Sequence, residues 1–325
     1  MNTNKQRRIG NNTLKRILPL MDKNCLNNLP NKPQKLLKYV KRRISPFISP
    51  YISHSLKLKM YNYRMTDEEY LLSFYNAISS NFSKLTRVEK PVLSIILSQT
   101  GAGKTELAKL ILNKRKNSVI INTDNYKKFN PKLEQIFKKE PFHIAELTAI
   151  DSYDLTNNIK EFAFKNKYNI ICEFAPSKNG IIEINKKAFI NQGYKIEYHI
   201  LAVGDLVSSL SIHSRYEKHI MGIEKEKIKL TNINRHDESY KELLKVIQTL
   251  PVDKTYIYRR GTKEEGFIPQ LLDNNKFKSK QKLYLSLISE REKSNKLYAL
   301  GQGINNNFII DYFKIKNFII LFFYF

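Results

Sequence analysis

The run Ser98-Gln99-Thr100-Gly101-Ala102-Gly103-Lys104-Thr105 carries the plainest chemistry in this 325-residue chain. It follows a short apolar stretch, Val92 to Leu97, opened by Pro91, and leads into Leu107, Leu110 and Ile111 at helical spacing. A buried strand, a small-residue loop and a helix form the setting of a phosphate-binding loop. Small residues let the backbone curl until several N–H groups converge on phosphate oxygens, and the helix N-terminus adds partial positive charge. Gly101, Ala102, Gly103, Lys104 and Thr105 are the candidate nucleotide-binding residues. Lys104 would reach the β- and γ-phosphates, and the Thr105 hydroxyl would ligate Mg2+. The nucleotide expected is ATP, with GTP as the alternative. The motif's first glycine is replaced by Ser98, but Gly101 and Gly103 keep the freedom nearest the lysine.

Four more charged residues are candidates, two of them at the carboxyl ends of strands, where ligands gather in an open α/β sheet. Asp124 follows the apolar run Ser118 to Ile121, and Glu173 ends the run Asn169 to Cys172. Asp124 could be a proton acceptor or a helix cap; Glu173 could hold magnesium or a sugar hydroxyl, or be an ion-paired strand end. Arg215 and Arg235 are the two arginines between residues 201 and 250, in a chain with 43 lysines and 13 arginines. A planar guanidinium suits a transferring phosphoryl group because it neutralises charge without losing its proton. Surface charge is the simpler account of both. His143, His199, His213 and His236 show no metal-ligand spacing and read as structural or solvent-facing.

Taken together these residues resemble the zeta toxin family of bacterial toxin–antitoxin systems, over Thr66 to Leu250. The matching stretches are the phosphate loop, Asp124-Asn125-Tyr126-Lys127 with Pro131, Glu173, Ser214-Arg215-Tyr216-Glu217 and Arg235-His236-Asp237. The resemblance implies a P-loop kinase that phosphorylates UDP-N-acetylglucosamine and so blocks cell-wall synthesis. It implies Asp124 as general base, Arg215 and Arg235 on phosphate, and Glu173 on substrate. It also implies an antitoxin partner, as a separate chain or a fused N-terminal segment. Phe174 and Ala175 depart from the glycine and threonine that often follow the family's glutamate, which leaves another nucleotide or sugar as an alternative acceptor.

These side chains need a scaffold. Thr66-Asp67-Glu68-Glu69 is a capping box, and Tyr70, Leu71, Phe74, Tyr75 and Ile78 follow on one helical face. Strands are expected at Val92–Leu97, Ser118–Ile121, Tyr168–Phe174, Tyr194–Val203 and Lys254–Arg259. Helices are expected at about 104–114, 151–165, 181–192, 205–219 and 236–250. The alternation predicts an α/β fold of the P-loop NTPase type, a parallel sheet with helices on both faces. Residues 1–60 read as a basic, flexible extension, 61–260 as the kinase domain, and 261–325 as a helical and aromatic tail.

The net charge of +26 invites nucleic acid as a partner. Residues 1–64 hold 15 basic residues and one acidic residue, so more than half of the excess lies in the first fifth of the chain. The remainder follows a lysine-rich composition, and nucleic acid is not expected as the main partner. An ATP-dependent protein binding nucleic acid through the basic arm is the reading from another class. Two cysteines make no disulfide framework and suit a reducing compartment. The apolar end, Phe318 to Phe325, is too short to span a bilayer, and a cytoplasmic location is expected.

Overall fold

The computed structural model describes residues 6–43, 53–177, 186–220, 233–262, 264–272, 277 and 279–301. A two-stranded antiparallel ribbon of β1 (Gln6–Arg8) and β2 (Lys41–Arg43) closes a small N-terminal unit. Inside it lie α1 (Asn11–Ile17), α2 (Lys23–Asn27) and α3 (Pro33–Leu37). Next come α4 (His54–Asn62) and α5 (Asp67–Phe82). The expected capping box opens α5: Thr66 accepts from the Glu69 N–H, and Glu69 accepts from the Thr66 N–H.

The central sheet has the order β4-β5-β3-β6-β7-β8. Its strands are β3 (Val92–Leu97), β4 (Ser118–Ile121), β5 (Asn169–Phe174), β6 (Lys195–Ala202), β7 (Thr255–Arg259) and the short edge strand β8 (Gln270–Leu271). All neighbours are parallel except β7 and β8. The connecting helices are α6 (Lys104–Lys114), α7 (Thr123–Tyr126), α8 (Leu133–Lys139) and α9 (Ile144–Lys165). After β5 come α10 (Lys186–Asn191), α11 (Asp205–Ile220), α12 (Ile233–Ile247) and α13 (Lys280–Gly301).

Side chains on a strand alternate between faces, and two cores follow from this. Ile95, Leu97, Ile170 and Cys172 join Phe74 and Phe82 of α5, Phe162 of α9, Leu243 of α12, and Leu283 and Leu287 of α13. Ile96, Ile171 and Leu201 pack with Leu107, Ala108 and Ile111 of α6 and Val207 of α11. The expected α/β sheet covered on both faces is the fold observed.

The N-terminal region corrects the sequence reading. The sequence reads as a flexible extension over residues 1–60. Over 6–43 they are instead built into the main core: Leu14, Ile17, Leu36 and Val40 are buried in the cluster that holds α5. Their polar neighbours hide any helical stripe, because each short helix contributes only one or two anchors. The arm's cations are also engaged by the body. Arg42 binds Asp67 (2.7 Å) and Asp151 (2.9 Å), Arg43 binds Asp154 (3.2 Å), and Lys41 binds Glu161 (2.8 Å).

One further difference is local, and the helical tail has a definite place. α9 starts at Ile144 and not near Asp151, because Ile144, Leu147 and Ile150 add a helical face that packs on Ile136 and Met60. The tail is helical to Gly301 in α13, and α13 docks on the sheet through Leu283 and Leu287. The expected helix start near Ile181 and the aromatic end lie outside the described residues.

Candidate active site

The phosphate loop leaves the carboxyl end of β3, the central strand of the parallel set. Gly101 has φ +80° and Gly103 has φ +98°, values that glycine adopts without strain. Gly103 caps α6, so Lys104 and Thr105 sit in its first turn. The Lys104 Nζ folds back and donates to the carbonyls of Ser98 (3.1 Å) and Gln99 (2.8 Å). Its pKa is lowered to about 8: burial is the largest cause, Arg215 and Arg235 act in the same direction, and Glu173 and Asp124 oppose them. The charges of Glu173, Arg215, Asp124 and Arg235 all bear on the loop lysine.

Each reaches the site by its own element. Glu173 is near the end of β5, beside β3, and its Oε2 accepts from the Thr105 hydroxyl at 3.3 Å. Burial raises its carboxyl above the ordinary range, while Asn122, Lys104 and Thr105 draw it back. Its other oxygen, Oε1, is buried without a hydrogen-bond partner. Asp124 lies in the first turn of α7, just past β4. The Asn122 side chain caps this helix by accepting from the Asp124 N–H at 2.9 Å. The Asp124 carboxylate is 63% exposed and pairs with Lys127 at 2.5 Å. The cap reading therefore fits Asn122, and Asp124 faces the open side.

Arg215 lies on α11, exposed, with its Nε donating to the Ser211 carbonyl at 3.3 Å. Arg235 lies in the first turn of α12. Its Nη2 donates to the Ala175 carbonyl at 2.8 Å, just past β5, and its Nη1 pairs with Glu238 at 3.2 Å. The fork of Arg235 therefore reaches the same strand exit as Glu173.

The chain matches the Zeta toxin family over residues 75–269, well over half of its length. The chain belongs to the zeta toxin family. Among its relatives are the zeta toxin of Enterococcus hirae, 24% identical over 183 residues, and that of Streptococcus pyogenes, 24% identical over 150 residues. These alignments cover 54% and 44% of this chain, and 63% and 52% of those proteins. The chain thus spans less than two thirds of the length of either relative. A structure from the characterization of the PezAT chromosomal toxin–antitoxin system of Streptococcus pneumoniae shares the fold. Its TM-score is 0.51 at 18% identity, covering 62% of this chain and 80% of that one.

Three groups in this zeta-family chain escaped the sequence reading. Ser98 is more than a tolerated substitute for glycine: it is fully buried, and its hydroxyl can donate to the Leu201 carbonyl (2.7 Å) or to Gln99 Oε1 (2.9 Å). Gln99 is also fully buried and donates to the Val203 carbonyl (2.8 Å) and to Ser208 Oγ (3.0 Å). Ser208 in turn lies 2.8 Å from His236 Nε2, and His236 Nδ1 lies 2.8 Å from Asp237. Serine, histidine and aspartate in line suggest a nucleophile, but the Ser208 side chain has no exposure and no substrate could reach it. The line instead ties the phosphate loop to α11 and α12, the two helices that carry Arg215 and Arg235. His236 is thus structural, as expected of a lone histidine.

The residues also fit a nucleotide with magnesium. The loop lysine, the Thr105 hydroxyl and the buried, unpartnered Glu173 Oε1 are the donor set that hard-cation and phosphate chemistry requires. Among the described residues, no three histidine, cysteine or acidic side chains form a metal cluster. A cation here would depend on ligand phosphates for part of its shell. No helix among the described residues is long and apolar enough to cross a membrane.

Proposed function

We propose that this chain is an ATP-dependent kinase that phosphorylates a sugar hydroxyl of UDP-N-acetylglucosamine and so acts as an inhibitor of cell-wall synthesis. The observation that carries the reading is the meeting at one strand exit of the phosphate loop, through Thr105 on Glu173 (3.3 Å), and of Arg235, through the Ala175 carbonyl (2.8 Å). In a P-loop kinase the bond between the acceptor oxygen and the γ-phosphorus forms as the β–γ bridge breaks, and ADP leaves. Lys104 holds the β- and γ-phosphates on the loop amides. Asp124 takes the acceptor's proton: it is exposed on the open side, and its charge is felt at Lys104. Arg215 and Arg235 stabilise the charge spread over the transferring group. Thr105 and Glu173 would hold Mg2+, which would supply charge neutralisation at the phosphates.

Labelled phosphate from ATP should appear on UDP-N-acetylglucosamine with the wild-type chain. Asp124→Ala should abolish that transfer while MgATP binding survives. Transfer to no UDP-sugar would remove the acceptor from the proposal. A kinase of another nucleotide or sugar is the second reading, favoured by Phe174 and Ala175, since Ala175 offers no side-chain hydroxyl to a substrate. A metabolite panel separates the two. An antitoxin partner follows from the same reading, and binding of a neighbouring gene's small helical product would support it.

A further inference from the structure

The phosphate loop is braced from behind by a helix outside the family-matched stretch. Arg291, on α13, is 2% exposed. Its guanidinium lies 3.9 Å from the Tyr240 ring centroid, and Nη1 donates to the Tyr240 carbonyl at 3.0 Å. Its Nη2 reaches Gln99 Oε1 at 3.4 Å. One turn further, Asn295 donates to Asp205 at 2.8 Å and lies so close to Gly204 that any Cβ there would collide with it. The Gln99 amide donates to Val203 and Ser208, and its Oε1 can accept from both Ser98 and Arg291. The Gln99 main-chain oxygen is the closer of the two that receive Lys104.

A guanidinium in such a place is costly. Among the described residues no carboxylate is ion-paired with Arg291, and its Nε is buried without a partner. Its pKa is lowered to about 10, because burial outweighs the opposing effects of Tyr240 and Asp205. An apolar side chain of similar volume would pack there at lower cost in stability. What arginine adds is a cation and a planar fork of donors directly behind a loop built to receive a polyanion.

We propose that Arg291 is a positioning residue for nucleotide binding: through the buried Gln99 side chain it fixes the phosphate-loop backbone in its anion-binding form. Helix α13 is then part of the kinase site, although the family match ends at residue 269. The inference rests on the nucleotide reading above and deepens it.

The test is calorimetry of MgATP and MgADP with the full chain. Arg291→Met keeps the volume and removes the cation and the fork. It should weaken both nucleotides by the same factor, about 5- to 20-fold, the effect of one charge-assisted hydrogen bond acting at one remove. Its melting temperature should be unchanged or higher. Arg291→Lys should fall between wild type and Arg291→Met. Arg235→Ala should weaken MgATP more than MgADP, because its role is at the γ-phosphate. The double variant Gln99→Ala/Arg291→Met should bind no more weakly than Gln99→Ala alone, since both act through one contact. A folded Arg291→Met that binds both nucleotides within about twofold of wild type would overturn the inference, as would additive effects in the double variant. If Arg291→Met does not fold, the same cycle with Arg291→Lys decides the matter. No binding of either nucleotide by wild type would overturn the nucleotide reading and this inference together.

Discussion

Arg42→Ala tests whether the N-terminal arm belongs to the folded body. The Arg42 side chain is 4% exposed and its partner Asp151 is 2% exposed. Its guanidinium binds Asp67, Asp151 and the Met65 carbonyl, and lies 4.7 Å from the Tyr70 ring centroid. Removing one partner of a buried pair costs about 3–5 kcal/mol, because the other charge is left without compensation. Here the lower end applies, since Asp151 keeps the Met65 N–H at 2.7 Å and Arg64 at 3.6 Å. Arg7 is the internal control. It binds the same Asp67 with two hydrogen bonds but is 48% exposed, so Arg7→Ala should cost less than about 1 kcal/mol. Urea unfolding followed by far-ultraviolet circular dichroism measures both, and the absence of tryptophan makes this the natural probe. A loss of about 3 kcal/mol for Arg42→Ala against less than 1 for Arg7→Ala is the expected result. Equal losses below about 1 kcal/mol would refute the claim that this arm is welded to α5 and α9.

Other consequences can be measured on the same protein. Burial pushes the Asp67 carboxyl up, but the hydrogen bonds from Arg7 and Arg42 outweigh this and hold it below its usual value. A depressed carboxylate contributes stability that is fully present above its unfolded pKa, about 3.9, and is lost as pH falls through the folded value. Stability should therefore decline between about pH 4 and the lower folded value, and the decline should be shallower in Arg42→Ala. Ser98→Ala removes a buried hydroxyl facing two acceptors and should cost about 1–3 kcal/mol in urea. Should Ser98→Ala instead prove neutral, Ser98 is a passive filler. Gly101→Ala places a Cβ against the Ser208 carbonyl at a positive φ, and should weaken MgATP binding at least tenfold by calorimetry. An unchanged affinity would show that the loop rearranges freely.

The preference for lysine in this sequence makes Arg215 and Arg235 legible, and the same signal marks other arginines. Arg42, Arg43, Arg115 and Arg291 also stand out against 43 lysines, and each engages partners in the structure that a lysine could not engage with a planar fork. What no local pattern showed was where those partners are. Arg42 meets Asp151 across 109 residues, and Arg291 meets Gln99 across 192.

By itself, then, the sequence determined the alternation of strands and helices, the phosphate loop and the charged residues at strand exits. All of these are local: they depend on period, on small residues at a turn, and on side-chain type next to it. The folding of the N-terminal arm into the core, the buried line from Gln99 through Ser208 to His236, and the docking of α13 behind the loop were decided only by tertiary structure. They arise from single anchors on short elements, and a lone apolar or polar residue acquires meaning only when packing brings its distant partner within contact.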